Sequence, residues 1–332
     1  MATATKTRKT RNDTARARAD RAEKVAGLVA QIADKAQELA TAEGWQRMLT
    51  GAAAGLWRYS LNNQLLILAQ AAERGISPTQ VAGYQTWRSR GRQVRSGEKG
   101  LAILAPAGRF LVDLDETEHL GEGRIVELPD GTRKREIIRY RTTYLWDISQ
   151  TDNLDSGEPT DDQDSGGHAD TQPVLVGNLT LQVVDLEELR AGLAAQVAAA
   201  GYALSYGTPT AGADGHTDPH THSVVVGSHL KPLQQVLTLA HELAHIALGH
   251  CAPTYGYHAH RGRAEVEAES VAYVLLGACG IDMTDAPIRY VAEWAGNDID
   301  AIRAAATTVT KTAKSLLDAL IGAEEDAGEA LD

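Results

Sequence analysis

His241-Glu242-Leu243-Ala244-His245 is the segment of this sequence whose residue types and spacing come nearest to chemistry. Within a helix, imidazoles at i and i+4 stand on one face and can share a metal ion, while Glu242, one residue round from the first, can act as a base on the ion's water. Two partly exposed histidines on an ordinary amphipathic helix would give the same string, so its surroundings decide. A catalytic zinc takes three protein ligands and keeps one position open. The sequence Ala264 to Gly280 reads as a helix with Glu265, Glu267 and Glu269 in its first turns. At about 100° per residue, Glu265 and Glu269 fall on the apolar face marked by Ala268, Ala272, Leu275 and Leu276, and Glu267 lies nearly opposite. Carboxylates on a core-facing stripe are costly to bury unless paired or metal-bound. Glu265, 20 residues after His245, is therefore expected as the third ligand. Glu269, one turn on, is expected to accept from the far ring nitrogen of a ligand histidine, with the reverse assignment of the two glutamates open. Glu267 is expected as solvated charge. His250 competes as a ligand but lies beyond Gly249, off the i, i+4 geometry. With Cys251, His258 and His260 it is read as lining a loop, and His216, His220 and His222 as exposed loop histidines.

The elements that must hold these groups can be sketched from periodicity. Pro232 suits the first turn of the helix carrying the two histidines, Leu233, Val236, Leu237, Ala240, Ala244 and Ala247 recur at three and four residues, and Gly249 sits where a C-cap belongs. Before it come strand-like Val174 to Val184, a helix over Leu186 to Ala200, and strand-like Ser223 to Val226, expected as the edge that aligns an extended peptide. Tyr255, Tyr257 and Tyr290 are unranked candidates for stabilising an oxyanion. In the first half, Ala26 to Leu39 and Trp45 to Ala72 have helical spacing, Thr79 to Arg90 a shorter helix stopped at Gly91. Gln93 to Arg95 and Leu101 to Ala105, around the turn Ser96 to Gly100, read as a hairpin, and Arg109 to Asp115 and Ile137 to Asp147 as further strands. The fold class is α+β with two domains, a small α+β domain and a metallopeptidase-like domain.

The chain has 332 residues and a formal net charge of -12. Residues 1 to 150 hold 24 Lys and Arg against 17 Asp and Glu, net +7, which leaves 8 against 27, net -19, for residues 151 to 332. The whole-chain value therefore hides a basic half. Between the halves, residues 151–173 carry Asp152, Asp155, Glu158, Asp161, Asp162, Asp164 and Asp170 with no basic residue, and read as a disordered linker. The expected organisation is a basic arm and leading helix over 1–40, a domain over 41–150, the linker over 151–173, a second domain over 174–320 and an acidic tail over 321–332. The longest near-continuous apolar run, Val271 to Ile281, is shorter than the roughly 18 residues of a membrane span. With no secretory signal at Met1 to Asp20, the expected compartment is the cytoplasm. Cys251 and Cys279 are too few for a disulfide scaffold or a Cys-only zinc site.

Arg88, Arg90, Arg92, Arg95 and Lys99 lie within twelve residues, beside Tyr84 and Trp87. Charge for phosphates and flat rings for bases are what a single nucleic-acid strand requires, although a solvated basic surface over core tryptophans has the same composition. Four ordered blocks sharpen this: Tyr59 to Ile67, Gly83 to Trp87, Gly91 to Gly100 and Leu145 to Thr151. They resemble the N-terminal single-stranded-DNA-binding domain of ArdC-type antirestriction proteins, over about Thr41 to Thr151. That family joins this domain to an HExxH metallopeptidase-like domain, so the resemblance spans most of residues 41 to 320. It implies a protein of mobile elements that protects incoming DNA from host restriction enzymes, with Tyr84, Trp87, Arg88, Arg90, Arg92, Arg95 and Lys99 as DNA-binding candidates. The second half is also similar to gluzincin peptidases and to the ImmA/IrrE regulatory peptidases. This implies a zinc metalloendopeptidase with Zn2+ on His241, His245 and Glu265, Glu242 as its base, and a protein or peptide substrate. The alternatives are a regulatory peptidase cleaving a repressor, and a binding protein whose zinc site is not catalytic.

Overall fold

A computed structural model describes residues 11–112, 124–128, 131–154, 185–209, 212–252, 254–283 and 298–321, with 286 and 295. The expected strand Val174 to Val184, the linker from residue 155, the tail from residue 322 and Tyr290 lie outside the described residues. Helix α1 spans Arg11–Glu38 and so begins well before Ala26, where helical spacing was expected to start. The reason is local: Ala and Arg, both strong helix formers, dominate a stretch without Gly or Pro before Gly27. Helix α2 (Ala42–Ala53) starts at Thr41, whose hydroxyl accepts from the Gly44 N–H at 3.0 Å. The continuous helix expected from Trp45 to Ala72 is broken at Gly55, which has φ 126°; a short 3-10 turn over Leu56–Arg58 then leads to α3 (Leu61–Ala72). A Cβ at residue 55 would stand 2.5 Å from the Thr79 carbonyl oxygen, so a glycine is required there.

The first sheet is organised around β5 (Arg133–Asp147). It pairs antiparallel with β3 (Leu101–Val112) on one side and with β1 (Val81–Ala82) and β4 (Arg124–Glu127) on the other. Because Val81 and Ala82 join this sheet, the helix expected from Thr79 shrinks to α4 (Tyr84–Ser89). The hairpin expected between residues 93 and 105 does not form. Strand β2 (Arg92–Val94) pairs instead with β6 (Thr151–Asn153), so the first residues of the expected linker belong to a sheet. The free edge of β3 is closed by α3. Asn63 exchanges two 3.0 Å hydrogen bonds with the Leu104 backbone, and Gln70 two of 2.8 Å with that of Ala102. Amide side chains thus satisfy groups that an open edge would present to another chain.

In the second half, α5 (Leu186–Ala199) is followed by β7 (Ala203–Gly207), β8 (Gly215–Asp218) and β9 (Ser223–Gly227), then α6 (Pro232–Ala247), α7 (Tyr257–Ala278) and a last helix, Ile299–Ile321. Strand β9 is central, parallel to β7 and antiparallel to β8. Ser223 to Val226 is therefore not an edge, and β8, which has none of the β-branched content of β9 apart from Thr217, takes that position. The two halves share one core. Trp45, Met48 and Leu49 of α2 lie in a single buried cluster with Leu239 and Leu243 of α6, Val271 and Leu275 of α7 and Val309 of the last helix. The Trp45 indole N–H donates to Ser270 Oγ at 3.1 Å, and the Thr50 and Tyr273 hydroxyls are 3.2 Å apart. Among the described residues, no helix is long and apolar enough to cross a membrane.

Candidate metal centre

Helix α6 places Pro232 in its first turn, and the Gln234 side chain accepts from the Lys231 N–H at 3.2 Å. Val236, Leu239, Ala240, Leu243 and Ala244 are buried, which holds the helix against the core with His241 and His245 one turn apart beside α7. Its end is a Schellman motif: Gly249 has φ 75°, its N–H donates to the Ile246 carbonyl at 3.0 Å, and the His250 N–H donates to the His245 carbonyl at 3.0 Å. This turn folds His250 back over His245.

The ring atoms converge as an ion would require. His241 Nε2 and His245 Nε2 are 3.1 Å apart, and Glu265 Oε2 and Oε1 stand 3.6 Å and 3.9 Å from them respectively. Two ligands about 2.1 Å from one tetrahedral ion stand about 3.4 Å apart, so the three side chains fit a single metal. Their ligand atoms all lie within 4.8 Å of one another. Behind His245, the donors and acceptors follow one order. Glu267 Oε2 lies 3.2 Å from His250 Nε2, and His250 Nδ1 lies 3.0 Å from His245 Nδ1. A carboxylate only accepts, so His250 carries its proton on Nε2 and accepts at Nδ1 from the His245 Nδ1–H. That leaves the lone pair of His245 Nε2 facing His241 and Glu265. Arg263 completes the series, its Nε donating to Glu267 Oε1 at 2.9 Å.

Burial is the main influence on the titration of these groups. It drives His245 down to about 3, helped by His241 and His250 and opposed by Glu265, so this imidazole is neutral at physiological pH. On His241 burial also acts downward, but Glu265 and the fields of Glu242 and Glu269 outweigh it and hold the imidazole above its ordinary value. Burial lifts Glu242, against the Thr217 hydroxyl and His241, which favour its charged form.

Several expectations change here. Glu267, expected in solvent, is 2% exposed, because α7 packs against neighbours on more than one side and the position opposite the apolar stripe faces His250. His250 is 3% exposed and bonded to His245 rather than lining an open loop. It takes the ring-nitrogen place at His245, while Glu269 acts on His241 through its charge. The Schellman geometry of Gly249 was the local signal for this contact. A loop expected around His216 contains β8, whose Thr217 hydroxyl donates to Glu242 Oε2 at 2.7 Å; nothing in Gly-His-Thr-Asp announces a strand. The Tyr255 ring lies against His250, with centroids 4.7 Å apart and the planes tilted by 41°.

The expected DNA-binding residues divide by burial. Trp87 is fully buried, its indole donating to the Trp146 carbonyl at 2.8 Å, and offers no face to a base. Arg92 is 8% exposed because it ties β2 to β6 through Thr151 and Asn153. Both leave the set of candidate contacts. Arg95 is paired with Glu98 and Asp152, while Arg90 stacks over Trp87. Arg88, Lys99 and Tyr84 are exposed.

Comparison with known proteins accounts for both halves. Residues 21–144 match the family described as the N-terminal domain of the anti-restriction factor ArdC, and residues 207–306 match the IrrE N-terminal-like domain of the M78 peptidase family. Among solved structures, the chain is similar to the metal-free crystal structure of the antirestriction ArdC protein from the R388 plasmid. Identity is 19%, coverage 79% of this chain and 85% of that one, and the TM-score 0.41. The Mn(II)-bound structure of that protein shares 16% identity, with 78% and 86% coverage and a TM-score of 0.38. No protein with a curated description matches.

Proposed function

We propose that this chain, which belongs to the ArdC-type antirestriction family and carries an IrrE-like peptidase domain behind its ArdC N-terminal domain, binds single-stranded DNA with its first half and holds zinc in its second, protecting the incoming DNA of a mobile element from host restriction. The observation that carries this reading is the convergence of His241, His245 and Glu265 with Glu242 alongside. Two imidazoles and a carboxylate suit zinc by donor type. A bound ion would supply Lewis acidity, polarising a peptide carbonyl and lowering the pKa of water toward about 7. Glu242 is the base, its Oε2 steadied by the Thr217 hydroxyl at 2.7 Å, and it returns the proton to the leaving amine. The edge of β8, next to Glu242, offers backbone groups to an extended peptide.

The test is metal analysis together with a restriction-protection assay on wild type and Glu242→Gln. About one zinc per chain is expected in both proteins. Loss of protection in Glu242→Gln supports a hydrolytic role, and retained protection assigns the effect to binding alone. Protein prepared without chelator and free of metal overturns the site, whereas one equivalent of a different divalent ion corrects its identity.

A further inference from the structure

Outside the metal centre, the described surface has one concentration of exposed rings. Tyr140 and Tyr144 on β5 are 47% and 43% exposed, and Tyr84, at the start of α4, is 38% exposed. Successive side chains of a strand alternate between faces, so Tyr140, Thr142, Tyr144 and Trp146 share one face of β5. Tyr84 extends the row, packing edge-on against the Trp146 ring at 6.2 Å and 72°. Gly100 lets this group sit close to the neighbouring chain, since a Cβ there would lie 2.9 Å from the Tyr144 Cβ and 3.0 Å from the Trp146 ring. Exposed rings along one strand face are costly to leave in water, which makes the row a surface for something flat and apolar.

Cationic groups border it. Arg74 donates to the Lys99 and Gly100 carbonyls at 2.7 Å and 3.1 Å, which brings its guanidinium to the Gly100 side of the row. Lys99 is exposed next to Gly100. At Tyr84, Arg88 donates to Gln93, whose amide in turn donates to the Tyr84 hydroxyl at 2.9 Å. Rings flanked by cations complement bases flanked by phosphates. The spacing selects among nucleic acids. Tyr144 and Trp146, neighbouring positions on one strand face, are about 6.8 Å apart, and Tyr140 lies two such positions, about 13.6 Å, from Tyr144, against the roughly 3.4 Å step between stacked bases of a duplex strand. Bases must be drawn apart to use the row, which a single strand permits and a duplex does not.

We infer that the ring-bearing face of β5, through Tyr140, Tyr144, Trp146 and Tyr84, is a stacking platform for the bases of single-stranded nucleic acid, with Arg74, Arg88 and Lys99 receiving its phosphates. The inference rests on the single-strand-binding reading above and moves its centre away from the buried Trp87 and Arg92. Fluorescence anisotropy with a labelled oligothymidine and with a duplex of equal length tests it on the full chain. Replacing Tyr140 and Tyr144 with Ala is expected to weaken single-strand binding by about 5- to 150-fold for each ring, while the Phe pair stays near wild type, because stacking needs the ring and not the hydroxyl. Arg88→Ala with Lys99→Ala is expected to lower the salt dependence by about 0.7 log unit per log unit for each lost contact, which keeps the test informative should the Ala pair misfold. Unchanged affinity in the Ala pair, or equal binding of duplex, overturns the platform and leaves single-strand binding itself standing. A wild-type protein that binds no oligonucleotide overturns both.

Discussion

Replacing His250 tests whether the metal centre depends on a residue that is not itself a ligand. The side chain is 1% exposed, accepts from His245 Nδ1 at 3.0 Å and donates to Glu267 at 3.2 Å. His250→Phe keeps the bulk and the ring contact with Tyr255 but removes both hydrogen bonds. The His245 Nδ1–H is then a buried donor without its acceptor, worth about 1–3 kcal/mol, and Glu267 keeps the bond from Arg263. The neutral imidazole can relieve that cost by moving its proton to Nε2, the atom that faces His241 and Glu265, which removes the lone pair a metal needs. Loss of such an orienting partner is expected to weaken metal binding by about 10- to 100-fold, or about 1.4–2.8 kcal/mol. His250→Asn retains an acceptor toward His245 and is expected to recover most of the affinity. The assay is competition for zinc against a chromophoric chelator at fixed pH, with far-UV circular dichroism and Tm confirming that each variant is folded. A folded His250→Phe protein that binds zinc as tightly as wild type would refute the argument that the His250 ring sets the tautomer of His245.

Two further expectations concern the core. Trp45→Phe should cost about 1 kcal/mol from the lost bond to Ser270 together with whatever the smaller ring leaves unfilled, and calorimetry of wild type should show one cooperative transition; two well-separated transitions would contradict a core shared by both halves. Cys279 is 2% exposed with its thiol pushed up to about 11 by burial, so at pH 8 only about 0.1% is thiolate; a disulfide reagent should modify it only after denaturation, and rapid labelling of native protein at Cys279 would disprove that burial.

The features of this protein legible in its sequence are those that depend on neighbours within a few turns. His241 and His245 share a face because a helix repeats every 3.6 residues, and Gly249 ends that helix because a left-handed residue is easiest for glycine. Glu265 falls beside them because one loop and a turn of helix suffice to bring it back. His250 reads in the sequence as lining a loop, although the Schellman turn that Gly249 makes is what folds it onto His245. What needed the tertiary structure was the identity of partners distant along the chain. Thr217 reaches Glu242 from a strand with little intrinsic preference to be one, and is held there by pairing with β9. Glu267 looks solvated on a helical wheel, yet the wheel describes one partner face and α7 is packed on several. Similarly, Arg92 and Trp87 have the composition of a nucleic-acid surface, but pairing of β2 with β6 and the packing of α4 turn both inward, and the exposed rings stand on β5. Periodicity states which face of an element is apolar; only the assembled chain decides what that face, and the one behind it, will meet.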